Sequence, residues 1–253
     1  MSFIKPIWPA PDCVHSFVTT RQGGISNPPY ESLNLAPHVG DQLPRVIANR
    51  QILKKHLPTD PIWLNQTHSV QVSTPNSRSQ VLKGPFDADA AVTNIPDEVL
   101  VIMTADCLPV LFSTADGAVV GVAHAGWRGL CDGILENTIS EILKLAPQVS
   151  ASDLIAWFGP AIGPESFEVG EDVRERFQET GLHSDAICFV PLENKPGKHL
   201  ANIYQLARDR LQAQGLQSIY GGDLCTVGNP EQFFSYRRDG VTGRFASLIW
   251  ISR

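Results

Sequence analysis

Apolar residues along the chain fall into runs with two kinds of spacing. Consecutive runs rich in Val, Ile, Leu and Phe predict strands over residues 15–20, 62–64, 99–103, 110–113, 118–123 and 245–251, with another ending at Phe158. Residues 44–56, with Pro44 near the first helical position, predict a helix, as do residues 132–145, 171–180 and 200–214. In the second of these, Ile134, Leu135, Thr138, Ile139, Ile142 and Leu143 form one apolar face. Strands and helices in mixed order predict an α/β or α+β fold.

Thr114-Ala115-Asp116-Gly117 separates two of the apolar runs and predicts a hairpin turn. An antiparallel hairpin about Asp116-Gly117 brings Cys107 and His124 to the same end. Neighbouring strands lie about 4.8 Å apart, close enough for two side chains to share a metal or a proton. Glycines in Arg21-Gln22-Gly23-Gly24-Ile25-Ser26 permit positive φ and close approach to a ligand. Phe158-Gly159-Pro160-Ala161-Ile162-Gly163-Pro164 reads as a strand end entering a rigid loop.

With 253 residues, 43% of them hydrophobic and 18% charged, the chain has material for a large core, and no repeat or linker divides it. One domain over residues 1–253 is expected. A net charge of −6 argues against nucleic acid as a partner. No signal-like or membrane-length apolar run occurs, and five scattered cysteines without a C-x-x-C pair fit reduced thiols. A cytoplasmic protein is expected.

The chemistry concentrates in Gln66-Thr67-His68-Ser69, Thr104-Ala105-Asp106-Cys107-Leu108-Pro109 and His124-Ala125-Gly126-Trp127-Arg128-Gly129. Two imidazoles, one thiol and no obvious fourth ligand are the donor count of a catalytic zinc that keeps an open position. A Cys107–His124 nucleophilic dyad without metal is the second reading, with Asp106 or a carbonyl orienting the ring. In the third, all three residues are core side chains, although their position beside turn residues and the acid at Asp106 weigh against it.

Copper is tested by counting. A four-copper laccase needs about ten histidines, and the chain has seven. Met103, a candidate axial ligand, lies ~13 Å from Cys107 if the segment between them stays extended. Among the cations, Arg21, Arg50 and Arg128 are candidates for holding a small phosphate. The Arg237-Arg238 segment, followed by Arg244, reads as a solvated hairpin tip.

Taken with Leu33-Asn34-Leu35, His38-Val39-Gly40-Asp41, Asn49-Arg50 and Ser235-Tyr236-Arg237-Arg238-Asp239-Gly240, these segments resemble the bacterial laccase-domain family in order along nearly the whole chain. Its members are described as polyphenol oxidases or purine nucleoside phosphorylases, and FAMIN is the human relative. The resemblance implies a layered β-sheet core flanked by helices, akin to the cytotoxic necrotising factor deamidases. It also implies zinc held by His68, Cys107 and His124. The implied reaction is phosphorolysis of adenosine, inosine, guanosine and methylthioadenosine, with adenosine deamination as a second activity.

For deamination, the H-x-E and P-C-x-x-C signature of zinc nucleobase deaminases is absent, and Asp106 is the candidate proton shuttle. Some relatives are described instead as editing a peptidoglycan precursor, which would suit a Cys/His amidase. A copper polyphenol oxidase and a non-catalytic metal- or partner-binding protein are the remaining alternatives.

Overall fold

The computed structural model describes residues 2–80, 85–182 and 185–253. Its larger sheet has six strands in the order Ser218–Gly221, Leu154–Phe158, Leu108–Thr114, Val120–Ala125, Ala90–Thr93 and Val72–Ser73. A second sheet orders Phe3–Ile4, Val14–Thr19, Phe245–Ile251 and Leu100–Thr104, all antiparallel.

Side-chain alternation explains why these strands read as unbroken apolar runs. Leu100 and Ile102 pack with Leu111, Val120 and Val122 between the two sheets, while Val101 and Met103 pack on the opposite face with Leu33, Leu35 and Leu53. Val110 and Phe112 likewise face away from Leu111, against helices Ile134–Leu145 and Ile203–Ala213. A strand covered on both sides has no polar face to alternate. Helices therefore cover the outer face of the larger sheet, and helix Leu43–Lys54 packs outside the smaller one. The result is the layered α/β arrangement expected from the sequence.

Several boundaries differ from expectation. Instead of one helix over 132–145 there are two, Trp127–Asp132 and Ile134–Leu145, separated by Gly133 at φ 102°. That positive φ interrupts the helix and costs glycine little. Leu200, expected in a helix, lies in strand Lys198–Ala201, and the helix begins at Ile203 behind the Asn202 cap. The segment read as a solvated hairpin tip is helix Tyr236–Asp239, capped by the Ser235 hydroxyl. It is solvent-exposed as expected at Tyr236 and Arg237, yet its arginines bond to backbone, Arg237 to the carbonyls of Ser166 and Glu168 and half-buried Arg238 to those of Thr226, Val227 and Phe233. No helix among the described residues is long and apolar enough to cross a membrane.

Candidate active site

Strand register assembles the site. In the central hairpin Pro109 faces His124 and Leu108 faces Ala125, so Cys107 stands one step beyond the ladder, diagonal to His124. On the other side of His124, Ala90 pairs with Ala123, which brings Asp89 opposite His124. His68 arrives on the loop before Val72–Ser73, the edge strand that runs parallel to Ala90–Thr93. The ligand atoms of His68, Cys107 and His124 all lie within 4.8 Å of one another.

Asp89 organises both histidines. Its carboxylate accepts from the backbone N–H groups of Thr67, His68 and Ser69, from the Ser69 hydroxyl, and from His124 Nδ1 at 2.8 Å. With Nδ1 engaged, Nε2 is the His124 nitrogen left for a ligand. Burial opposes the Asp89 charge, yet the His124 and Ser69 hydrogen bonds outweigh it and bring the carboxyl down to about 2.

Backbone strain gathers at the same place. His68 has φ 60° and Asp106 has φ 93°, values that a non-glycine residue adopts only when its surroundings fix them. At His68 the fixing group is Asp89. Asp106 accepts from the Thr226 hydroxyl and from the Arg237 N–H, each at 2.6 Å. Both of its carboxylate oxygens are thus engaged, and the residue braces the turn that presents Cys107. This turn bends the segment between Met103 and Cys107, and both residues line one cavity.

Burial would raise the Cys107 thiol, but the charge of His124 and hydrogen bonds from His124 and His68 bring it down to about 6. Burial would lower His124, but Cys107 and Asp89 raise it to about 9. Each partner thus favours the charged form of the other, which lowers the thiol and raises the imidazole. Gly126 makes room for this cluster: a Cβ there would lie 2.8 Å from His68 Cδ2 and 3.2 Å from Cys107 Sγ.

Two cavities meet at the cluster. One, of about 400 Å³, is lined by His38, Gln66, Met103, Tyr236 and Arg244 besides the three candidate ligands. The other, of about 260 Å³, is lined by His68, Cys107, Trp127, Arg128, Ile162, Phe167, Ile203, Tyr236 and Arg237. Arg128 lies over the Trp127 ring at 4.4 Å.

The other two candidate arginines are placed differently. Arg50 stacks on Trp63 at 3.6 Å in a third cleft, of about 570 Å³, that adjoins the first at His38 and Met103. Arg21 is in a separate cavity, where it donates to the carbonyls of Glu31 and Pro230. The nearby glycine-rich turn serves the fold, since a Cβ at Gly24 would lie 2.3 Å from the Ser32 carbonyl oxygen and 2.6 Å from Asn49 Oδ1.

Reading the sequence did not place Asp89, Arg244 or His38 at the site. An acid embedded in the small apolar run Ala88-Asp89-Ala90-Ala91-Val92 was the available signal for Asp89.

Residues 15–252 match the family described as multi-copper polyphenol oxidoreductase laccase. A Haemophilus influenzae protein named purine nucleoside phosphorylase is 50% identical over 252 residues, spanning 99% of each chain. Purine nucleoside phosphorylase YfiH of Escherichia coli is 47% identical over 250 residues, 98% of each. Among solved structures, Neisseria meningitidis protein NMB0706 aligns over all of both chains with a TM-score of 0.90 and 44% identity.

Proposed function

The chain belongs to the multi-copper polyphenol oxidoreductase laccase family, and on that footing we propose that it is a zinc-dependent purine nucleoside phosphorylase with adenosine deaminase activity. Its substrates would be adenosine, inosine, guanosine and methylthioadenosine. The observation that carries this reading is the convergence of His68, Cys107 and His124 on one point between two cavities. The names of the relatives supply the reaction class.

The donor set suits zinc. Two imidazoles and a thiolate leave a coordination position open, and Asp89 behind His124 is the partner that a metal-bound imidazole usually has. Zinc held by His68, Cys107 and His124 would supply Lewis acidity for polarising a substrate atom or activating an oxygen. Among the described residues one group of His, Cys, Asp or Glu side chains has the geometry for a metal, which is too few donors for a multi-copper centre.

In phosphorolysis a phosphate oxygen bonds to the sugar C1′ while the bond to the base nitrogen breaks, and the base leaves with the electron pair and gains a proton. The protein's part is to hold the two reactants in line and to exclude water. Trp127, Phe167 and Tyr236 offer aromatic surface to base and sugar, with Arg128 at the mouth of that cavity. We assign Asp106 to positioning Cys107, because Thr226 and Arg237 occupy its carboxylate. A cytoplasmic setting suits its five free cysteines.

One observation favours a second reading. Asp89, His124 and Cys107 form an acid–base–nucleophile series with a lowered thiol, which an amidase acting on a peptidoglycan precursor would use without metal.

Incubating protein of known metal content with adenosine, with and without phosphate, tests both readings. Phosphate-dependent adenine and ribose-1-phosphate support phosphorolysis, and inosine with ammonia reports deamination. No nucleoside turnover by zinc-loaded protein, with amino acid release from a muropeptide precursor by metal-free protein, would replace the first reading with the second.

A further inference from the structure

Arg50 and Arg244 are half-buried guanidinium groups, and neither has a carboxylate partner among the described residues. The two buried arginines are matched, Arg78 by Glu98 and Arg210 by Glu136, and of the half-buried ones without an ion pair Arg50 and Arg244 are the two whose charges act on His38. Arg50 donates Nε–H to the Leu35 carbonyl, and Arg244 donates from Nη1 to the carbonyls of Thr242 and Gly243. These bonds fix the two forks without neutralising them.

His38 belongs to both cavity linings, the one with Arg50 and the one with Arg244. Burial, then the charges of Arg244 and Arg50, lower its imidazole. Burial takes Arg50 down to about 10 and also lowers Arg244, which the charges of Cys107 and Asp106 partly offset. The one acid in either lining, Asp60, pairs with Lys54 at 2.7 Å. Desolvated positive charge that no carboxylate contacts directly is costly inside a protein, and a ligand oxyanion removes that cost. Arg128 is exposed over Trp127 and carries no such burden.

We propose that inorganic phosphate, the second substrate of the reaction read above, binds between Arg244 and Arg50 beside His38, in the cavity that leads to His68, Cys107 and His124. The proposal rests on the phosphorylase reading. Guanidinium forks suit an oxyanion, since each can contact two oxygens at once. Phosphate here approaches the candidate metal ligands from the cationic side, leaving the aromatic cavity for the nucleoside.

Calorimetric titration of zinc-loaded protein with inorganic phosphate, without nucleoside, tests the site. Wild type binds phosphate, and Arg244→Gln and Arg50→Gln each weaken binding about ten-fold or more. Arg244→Lys falls between, and Arg21→Gln matches wild type. Zinc content and circular dichroism confirm that the variants are folded with the metal retained. In turnover, Arg244→Gln and Arg50→Gln raise the KM for phosphate and spare that for nucleoside.

Phosphate affinity that survives both substitutions, or that is lost only in Arg128→Gln, overturns the proposal. So does Arg244-dependent binding of adenosine 5′-monophosphate when inorganic phosphate does not bind, because the cluster would then hold a substrate's phosphate ester. Arginine-dependent phosphate binding without release of base from any nucleoside upholds the anion site and removes the phosphorylase reading instead.

Discussion

His124 and Asp89 are joined twice: the His124 backbone N–H donates to the Asp89 carbonyl at 2.6 Å, and His124 Nδ1 lies 2.8 Å from Asp89 Oδ1. Asp89→Asn keeps the shape but places an amide where a carboxylate accepted several hydrogens. Zinc affinity should fall about 10–100-fold, the usual cost of removing such a partner. Chelator competition measures it, and an unchanged constant would leave Asp89 as a brace for the loop alone.

Cys107→Ala removes the thiolate from the three-donor set. Bound zinc should drop sharply while circular dichroism stays that of wild type, because Cys107 lies outside the main apolar clusters. Metal analysis after dialysis decides the matter. Undiminished stoichiometry would sink the ligand assignment.

In metal-stripped protein the Cys107 thiol, brought to about 6, is protonated below that pH and a thiolate above it. Its alkylation by iodoacetamide should therefore rise through pH 6, whereas an ordinary thiol rises nearer about 8.5. Burial, reinforced by Asp209, pushes Cys188 up to about 12, and burial also raises Cys131. Peptide mapping at pH 7 should thus find Cys107 modified ahead of both. A rise confined to pH 8 and above would contradict the thiolate.

Gly126→Ala separates site from fold. The added Cβ meets the imidazole of His68, an exposed side chain able to swing away, so stability should change by less than about 1 kcal/mol. Zinc binding should suffer much more, because the displaced group is a ligand. Equal losses in urea denaturation and in metal titration would refute this division.

Asn49 is fully buried and accepts from the Ile25 N–H while donating to Ser26 Oγ and to the carbonyls of Ser32 and Asn34. Asn49→Ala orphans these groups and should cost about 2–4 kcal/mol in urea denaturation. A loss below about 1 kcal/mol would mean that water replaces the amide.

His68, Cys107 and His124 were legible because each sits in a turn-rich segment, and the hairpin centre at Asp116-Gly117 implied that two of them meet. Asp89 was not, because only the pairing of Ala90 with Ala123 sets it against His124. Nor were the strands at Phe3–Ile4, Val72–Ser73 and Phe86–Asp87, which are too short to show a period. The terminal strand Phe245–Ile251 was read with its bounds intact, since seven residues of mostly apolar chain leave little ambiguity. Arg244 passed for part of a solvated turn because charge alone does not reveal that neighbouring backbone will cover it.

Strand Phe245–Ile251 sits between Val14–Thr19 and Leu100–Thr104 and hydrogen-bonds to both. During synthesis these two strands emerge first and wait without their shared neighbour, because it is translated long after them. Thr226 and the Arg237 N–H, which hold Asp106 in its strained turn, also arrive late. Cys107 therefore precedes in sequence, by more than a hundred residues, both groups that complete its setting. The three candidate ligands thus lie in the first half of the sequence while the brace of the Asp106 turn and Arg244 of the cavity wall come from the last thirty residues, so the site closes only when the two ends of the fold are joined.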